Sequence, residues 1–105
     1  MVEYEVSEKR GTRGYLRLRG TLVGEVPVEE FTRALEEHYV DDGVKEIVVD
    51  LSDVTELSLE GVAHLLQLRG ESQDRGKRFV VQGVSGQPRD KLEITGALPV
   101  LTESE

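Results

Sequence analysis

Residues 45–66 read KEIVVDLSDVTELSLEGVAHLL and contain the clearest succession of strand, turn and helix signals in the chain. The run Ile47, Val48 and Val49 has no polar interruption, which is typical of a strand buried on both faces of a parallel sheet. Residues 50–53 supply short polar side chains that bond to nearby backbone and favour a turn. We therefore expect a buried strand, a turn at residues 50–53 and then a helix.

That helix is predicted to cover residues 58–75. Ser58 suits the N-cap position, where its hydroxyl accepts a hydrogen bond from one of the unpaired first N–H groups. Gly76 suits the left-handed position that follows a last helical turn. Val62, Leu65, Leu66 and Arg69 follow helical spacing. The positive end of this helix would meet the end of a strand, which favours an anion or a partner's acidic group, although any strand-to-helix junction has this form.

Two strands are predicted before this unit. Residues 2–6 alternate apolar and acidic side chains, a period of two that indicates a half-exposed strand. Residues 7–14 contain two glycines and are predicted to form a hairpin turn. A second strand is expected over residues 15–22, with a kink or bulge at Gly20.

A helix is predicted between Gly24 and Gly43, with Pro27 at its first position, where a missing N–H is tolerated. Its inward face is expected to contain Phe31, Ala34, Leu35 and His38.

After the central unit, residues 78–82 read as another parallel strand, and residues 83–86 as a loop at its end. A short helix is expected over residues 88–95, stopped by Gly96. Its inward candidates are Leu92 and Ile94.

The carboxyl end is predicted to hold an edge strand at Val100 and Leu101, followed by a frayed tail at residues 102–105. The length of 105 residues suits one domain spanning residues 1–105. The chain has no cysteine, which excludes disulfides and thiolate metal sites.

The charge balance limits the classes of partner. The chain has 13 Lys and Arg against 21 Asp and Glu, a formal net charge of −8. This disfavours nucleic acid and is compatible with docking to a basic patch on another protein. Glu3 and Glu5 interrupt the amino terminus, and no apolar run approaches the roughly 20 residues that span a bilayer. We therefore predict no signal peptide, no membrane span and a cytoplasmic location.

Three motifs in order resemble those of STAS domains, the anti-sigma factor antagonist family, which also occur in stress-signalling scaffolds and at the ends of sulfate transporters. Residues 50–61, DLSDVTELSLEG, are similar to the family's Asp-Leu-Ser-x-Val-x-hydrophobic-hydrophobic-Asp-Ser-Ser-Gly. Residues 14–24 resemble its early strand pair with a leucine-x-Gly-x-leucine corner, and residues 92–98 resemble its closing leucine-x-x-Thr-Gly-leucine helix end. The resemblance covers nearly the whole chain. It implies a single α/β domain with a mixed β-sheet and helices mainly on one face.

The same resemblance implies a function. The protein would be non-enzymatic, without catalytic residues or cofactors, and would bind an anti-sigma factor of the serine kinase type. It would thereby regulate sigma-factor-dependent transcription through protein–protein contacts, as a monomer or weak homodimer, with neither nucleic acid nor membrane as a partner.

The family's phosphoacceptor serine, carried over by position, corresponds to Glu60, which has no hydroxyl. The family's preceding aspartate corresponds to Ser58 and its first serine to Leu59. Glu60 is then either a fixed, partial imitation of phosphoserine or simply a favourable acid in the first helical turn. Ser58 is better explained as a cap than as an acceptor. Asp50 is included in the phosphorylation-site region with Ser58 and Glu60, although aspartate is common in turns for backbone reasons.

The implied partner surface is centred on residues 58–61, where Leu59 is expected to be exposed as a hydrophobic contact. Its members at the helix start are Leu59, Glu60 and Gly61, and those on the neighbouring loops are Gly24, Glu25, Val26, Val28, Ser85 and Gln87.

Two alternatives remain open. One is a self-associating STAS scaffold subunit of a signalling complex. The other is a small-ligand carrier or enzyme in which Asp50, Asp53 and Ser58 line a pocket. A metal site is not predicted, because His38 and His64 lie on separate helices with no second histidine at i+3 or i+4.

Overall fold

The computed structural model describes residues 2–102, which form four strands and five helices. The strands are β1 (Val2–Arg10), β2 (Arg13–Leu22), β3 (Glu46–Leu57) and β4 (Arg78–Gln82). The helices are α1 (Val28–Ala34), α2 (Glu36–Val40), α3 (Leu59–Asp74), α4 (Gly86–Ile94) and α5 (Leu98–Thr102).

The four strands form one mixed sheet in the order β1-β2-β3-β4. β1 is an edge strand that pairs with β2 in antiparallel fashion, whereas β2, β3 and β4 are parallel to one another. Leu16, Val49 and Val81 lie side by side in this register and are buried. This confirms the predicted α/β class with an antiparallel first part and parallel later strands.

Helices cover one face of the sheet. The buried core combines the inward strand residues with Phe31 of α1, Leu65 of α3 and Leu92 of α4. On the opposite face of β2, Arg17 and Arg19 are exposed, as expected for a solvated strand surface. The expectation of helices mainly on one face is therefore confirmed.

β3 is much longer than predicted. The turn expected at residues 50–53 is wrong, because pairing with β2 continues from Asp50 to Leu57. The register shifts twice in this part, with Arg17 and Arg19 opposite Asp50 and Asp53. Each shift places one extra residue on β3, which is a bulge. The backbone N–H of Ser52 does donate to Asp50 Oδ1, at 2.8 Å, so the local bond of a turn is present inside a bulged strand.

The predicted first helix is two consecutive short helices. Pro27 is the N-cap of α1 and not its first residue, because its ψ of 70° lies outside the helical region. The break falls at Leu35, whose ψ of 2° also departs from helical geometry. Phe31, Leu35 and His38 are buried as predicted, while Ala34 is half-buried.

The carboxyl end also differs from the prediction. Val100 and Leu101 belong to α5, a short helix packed near β4, and not to an edge strand. Pro99 is compatible with this helix because it lies in the first turn, where no intrahelical N–H bond is needed. Thr102 is the last residue of α5, so it is not part of a frayed tail, and residues 103–105 lie outside the described chain.

One inward assignment is wrong. Ile94 is 82% exposed, because the buried positions of α4 are Pro88 and Leu92, and two residues further along a helix point to the other side. Leu66 is 39% exposed, while Leu68 takes the buried position that follows Leu65.

Three further predictions concern segments that contain glycine: the hairpin turn, the kink in β2 and the end of α3. The hairpin turn is confined to two residues, because β1 extends to Arg10 and β2 begins at Arg13. The kink at Gly20 is confirmed by a φ of 101° and a register shift. Gly76 has a φ of 77°, and Lys77 N–H donates to the Ser72 carbonyl, as in a Schellman helix end.

Candidate functional site

The end of β2 and the start of α3 meet at one edge of the sheet. β2 and β3 are parallel, so the chain leaves both strands at the same edge. The backbone N–H of Ser58 donates to the Leu22 carbonyl at 3.0 Å. The N–H of Gly24 lies 3.4 Å from Ser58 Oγ. The β2–α1 loop and the first turn of α3 therefore form one continuous surface.

Ser58 is the N-cap of α3, as predicted. Its backbone is extended, with φ −96° and ψ 174°, and its Oγ accepts a hydrogen bond from Gly61 N–H at 3.1 Å. The hydroxyl also lies 3.4 Å from the Leu22 carbonyl, to which it can donate. The Ser58 side chain is thus engaged by the helix and by the strand before it.

Gly61 allows this close approach. A Cβ at this position would overlap the backbone carbonyl oxygen of Leu22 and crowd a methyl group of Leu57. The first turn of α3 can therefore pack directly against the end of β2 only with glycine here.

Glu60 and Leu59 point outward from the same turn. Glu60 is exposed, and Leu59 is 63% exposed, as predicted. The pKa of Glu60 is lowered, mainly because its carboxylate accepts a hydrogen bond from its own backbone N–H, and next because of the Ser58 hydroxyl. Glu60 therefore keeps its negative charge at the positive end of α3, where the helix dipole favours it.

The remaining members of the predicted partner surface differ in accessibility. Glu25 and Ser85 are exposed, and Gly24 is half-buried beside Ser58. Val26 and Val28 are only 8% and 5% exposed and belong to the hydrophobic core. Their side chains are therefore not on the surface, because they anchor the start of α1 to the core.

Gln87 is engaged within the protein. Its Oε1 accepts from the N–H of Leu57 at 2.8 Å, and its Nε2 donates to the carbonyl of Leu57 at 3.0 Å. The family resemblance implies Gln87 as a partner contact, whereas the structure places its amide group on Leu57, the residue that precedes Ser58.

Asp50 lies away from Ser58 and Glu60. Asp50 pairs with Arg17 and Leu57 pairs with Leu22, so Asp50 lies roughly 17 Å from the end of β3, five β2 residues at about 3.3 Å each. Asp50 instead lines a small depression with Tyr15 and other residues of β1 and β2, to which neither Asp53 nor Ser58 contributes. Asp53 pairs with Arg17 at 2.7 Å. The structure does not bring Asp50, Asp53 and Ser58 together into the pocket of the ligand-binding alternative.

Comparison with known proteins shows the family. The family model described as "Mlab, STAS domain" matches residues 7–101. The chain belongs to the STAS domain family. Among curated proteins, none matches it.

Solved structures share the fold of this STAS domain. The anti-sigma factor antagonist SpoIIAA in its unphosphorylated form superposes with a TM-score of 0.72 at 17% identity, covering 96% of this chain and 86% of SpoIIAA. The Bacillus cell fate determinant SpoIIAA in the phosphorylated form gives 0.65 at 15% identity, covering 96% and 89%. An antisigma-factor antagonist STAS domain from Rhodobacter sphaeroides gives 0.58 at 19% identity, covering 78% and 86%.

Two surface residues of this STAS domain were not predicted. Val23 is 47% exposed and directly follows β2, and Glu56 is exposed one residue before the end of β3. The signal that could have found Glu56 is the distribution of charge. Residues 20–32, 47–63 and 83–88 contain no Lys, Arg or His. They contain seven acidic residues: Glu25, Glu29, Glu30, Asp50, Asp53, Glu56 and Glu60.

Within residues 2–102, no group of three or more His, Asp or Glu side chains is arranged to hold a metal ion. Within the same range, no helix is both long and apolar enough to cross a bilayer.

Proposed function

We propose that this STAS domain is an anti-sigma factor antagonist that docks on an anti-sigma factor of the serine kinase type and does not itself accept phosphate. The observation that carries the proposal is the exposed Glu60 in the first turn of α3, at the position where the family resemblance puts the phosphoacceptor serine. The likeness to SpoIIAA and to the Rhodobacter domain supports the scaffold on which this surface is built.

The surroundings of Ser58 argue against phosphorylation there. Its oxygen already accepts from Gly61 N–H, and the Leu22 carbonyl and the Glu60 carboxylate are close by. A phosphate would add about −1.5 to −2 charges beside these oxygens and would displace the cap. We therefore assign Ser58 a structural role.

Glu60 gives the surface a permanent charge. It carries one negative charge where phosphoserine would carry about −1.5 to −2, so it imitates the modified state only in part. The proposed protein is then a binder without a phosphorylation switch. It acts without catalysis, in the cytoplasm where anti-sigma factors work, as a monomer or weak homodimer.

The docking surface combines apolar and acidic side chains. Leu59 and Val23 offer exposed apolar groups. Glu25, Glu56 and Glu60 are exposed and lie close to them in the sequence. This composition favours a partner whose contact face is basic around an apolar recess.

Phosphotransfer with the anti-sigma kinase from the same genome tests the proposal. The kinase is retained on the immobilised chain, and incubation with ATP leaves residues 58 and 60 unmodified. Glu60→Ser gains phosphate at residue 60, which phosphopeptide mass spectrometry detects. Phosphate on Ser58 of the unaltered chain, or no retention of any anti-sigma factor, contradicts the proposal.

A further inference from the structure

β4 ends well before β3 does. Pairing between them stops at Asp50 and Gln82, whereas β3 stays paired with β2 as far as Leu57. In a parallel ladder, successive residues direct their backbone groups to alternate sides. The N–H of Ser58 bonds to β2, so the N–H and carbonyl of Leu57 face the side where β4 is missing.

The side chain of Gln87 occupies that place. A primary amide is a neutral group with both a donor and an acceptor, which is what a neighbouring strand presents. Its two hydrogen bonds, 2.8 Å and 3.0 Å long, satisfy both backbone groups of Leu57. Leu57 is itself 1% exposed, so these groups have little access to water.

We infer that Gln87 is a positioning residue for the docking surface. It replaces a strand at the end of β3, fixes Leu57, and thereby sets the place of Ser58 and of the first turn of α3. The positions of Leu59 and Glu60 on α3 then depend on a side chain of a different helix, α4. Gln87 is itself exposed, but both polar atoms of its amide are bonded to Leu57, so it acts on the docking surface through Leu57 and not through an amide contact with the partner.

The β4–α4 loop is held to β3 at a second point. A Cβ at Gly83 would overlap Ser52 Oγ and lie 2.9 Å from Asp50 Oδ1, so the loop leaves β4 in close contact with the bulged part of β3. Contacts at Gly83 and Gln87 fix both ends of the loop that carries Ser85. The loop and the start of α3 are therefore both in contact with β3.

Hydrogen exchange of the isolated chain, followed by NMR, tests the inference. In Gln87→Ala the Leu57 amide loses its acceptor, and its exchange accelerates roughly tenfold, the factor for a bond of about 1.4 kcal/mol. The Gly61 amide, which donates to Ser58 Oγ, accelerates as well. The Lys77 amide at the far end of α3 keeps its rate.

Gln87→Glu supplies a readout that a general loss of stability does not move. A carboxylate accepts from the Leu57 N–H but repels the Leu57 carbonyl, whereas a protonated carboxyl donates to that carbonyl. The Leu57 N–H keeps an acceptor, but the lost bond to the Leu57 carbonyl reduces protection of Gly61 relative to the unaltered chain at pH 7, and this difference shrinks as the pH falls through about 4.3, an ordinary glutamate pKa. Gln73→Glu, on the exposed surface of α3, shows no such pH-dependent difference.

The outcomes separate this inference from the proposed function, on which it rests only for the use of the docking surface. Unchanged Gly61 protection in Gln87→Ala, or a pH-independent effect of Gln87→Glu, overturns the positioning role. Loss of kinase retention in Gln87→Ala with normal exchange at Leu57 and Gly61 also overturns it, because Gln87 then touches the partner directly. Altered exchange in a chain that retains no kinase supports the positioning role and contradicts only the proposed function.

Discussion

Single residues at the start of α3 have roles that depend on their immediate neighbours. Ser58 and Gly61 act as a pair. The hydroxyl of Ser58 accepts a hydrogen bond from the N–H of Gly61, and the absence of a side chain at Gly61 lets the helix pack against β2. Gly70 lies in the same helix, and a Cβ there meets no atom within 4 Å. Packing therefore requires a glycine at position 61 but not at position 70, although both glycines interrupt a run of helix-forming residues.

Replacing each glycine by alanine should separate these roles. Gly61→Ala is expected to lower the free energy of unfolding by about 1–3 kcal/mol, because the new methyl overlaps the Leu22 carbonyl and forces a backbone shift. Gly70→Ala is expected to raise it by about 0.5–1 kcal/mol through helix propensity alone. Urea denaturation measures both values. A neutral or stabilising Gly61→Ala would show that the first turn of α3 is not packed against β2 as described.

Some residue roles could be predicted from the sequence. The cap at Ser58, the exposed Leu59 and the exposed Glu60 all follow from position relative to a helix start. The role of Gln87 does not, because its bonds reach Leu57, thirty residues earlier, and no sequence pattern marks such a contact. Burial of Val28 follows from helix packing that local composition does not determine.

At the level of elements, β3 shows where prediction from the spacing of apolar residues fails. Its inward residues are Ile47, Val49, Leu51, Val54 and Leu57. The spacing changes from two to three at Leu51, because each bulge adds a residue between inward positions. A period of three with Asp and Ser between apolar residues looks like a turn. The long strand was therefore predicted as a short strand and a connection.

The helix α4 gives an element-level prediction. Leu92→Ala should cost about 2–5 kcal/mol of unfolding free energy, because Leu92 is fully buried and its loss leaves a cavity. Ile94→Ala should change it by less than about 0.5 kcal/mol, since Ile94 is 82% exposed.

Thermal and urea unfolding measure the change in unfolding free energy of the two variants, and each variant serves as the control for the other. Equal losses would mean that α4 is rotated about its axis relative to the packing described. A large loss only in Ile94→Ala would reverse the assignment of its inward face.

For the molecule as a whole, charge is distributed unevenly. The three segments that contribute the docking surface contain no Lys, Arg or His, and five of their seven acids, Glu25, Glu29, Glu30, Glu56 and Glu60, lie outside the bulge at Asp50 and Asp53, whereas the chain has 13 Lys and Arg elsewhere. Composition alone predicts an acidic protein. The parallel order of β2 and β3 is needed to show that the acidic segments around Glu25 and Glu60 come together at one edge.

This asymmetry predicts salt-dependent association with the proposed kinase partner. Raising ionic strength from about 0.05 M to 0.5 M should slow association, because charges on exposed surfaces are then screened. Glu56→Gln should slow association at low salt. Glu8→Gln removes the same charge near the hairpin of β1 and β2, at the opposite edge, and should have little effect. Stopped-flow kinetics measures the rates, and equal effects of the two substitutions would contradict a localised acidic surface.

The outer position of β1 bears on how the protein behaves at high concentration. One side of this nine-residue strand has no neighbouring strand in the described chain. The unpaired backbone groups of such an edge strand can pair with a strand of another molecule and lead to aggregation. Glu3, Glu5, Glu8 and Lys9 distribute charge along it, so that a second molecule approaching this border meets repulsion and desolvation before any ladder can form. These charges are therefore expected to disfavour the addition of a second molecule's strand to the outer side of β1.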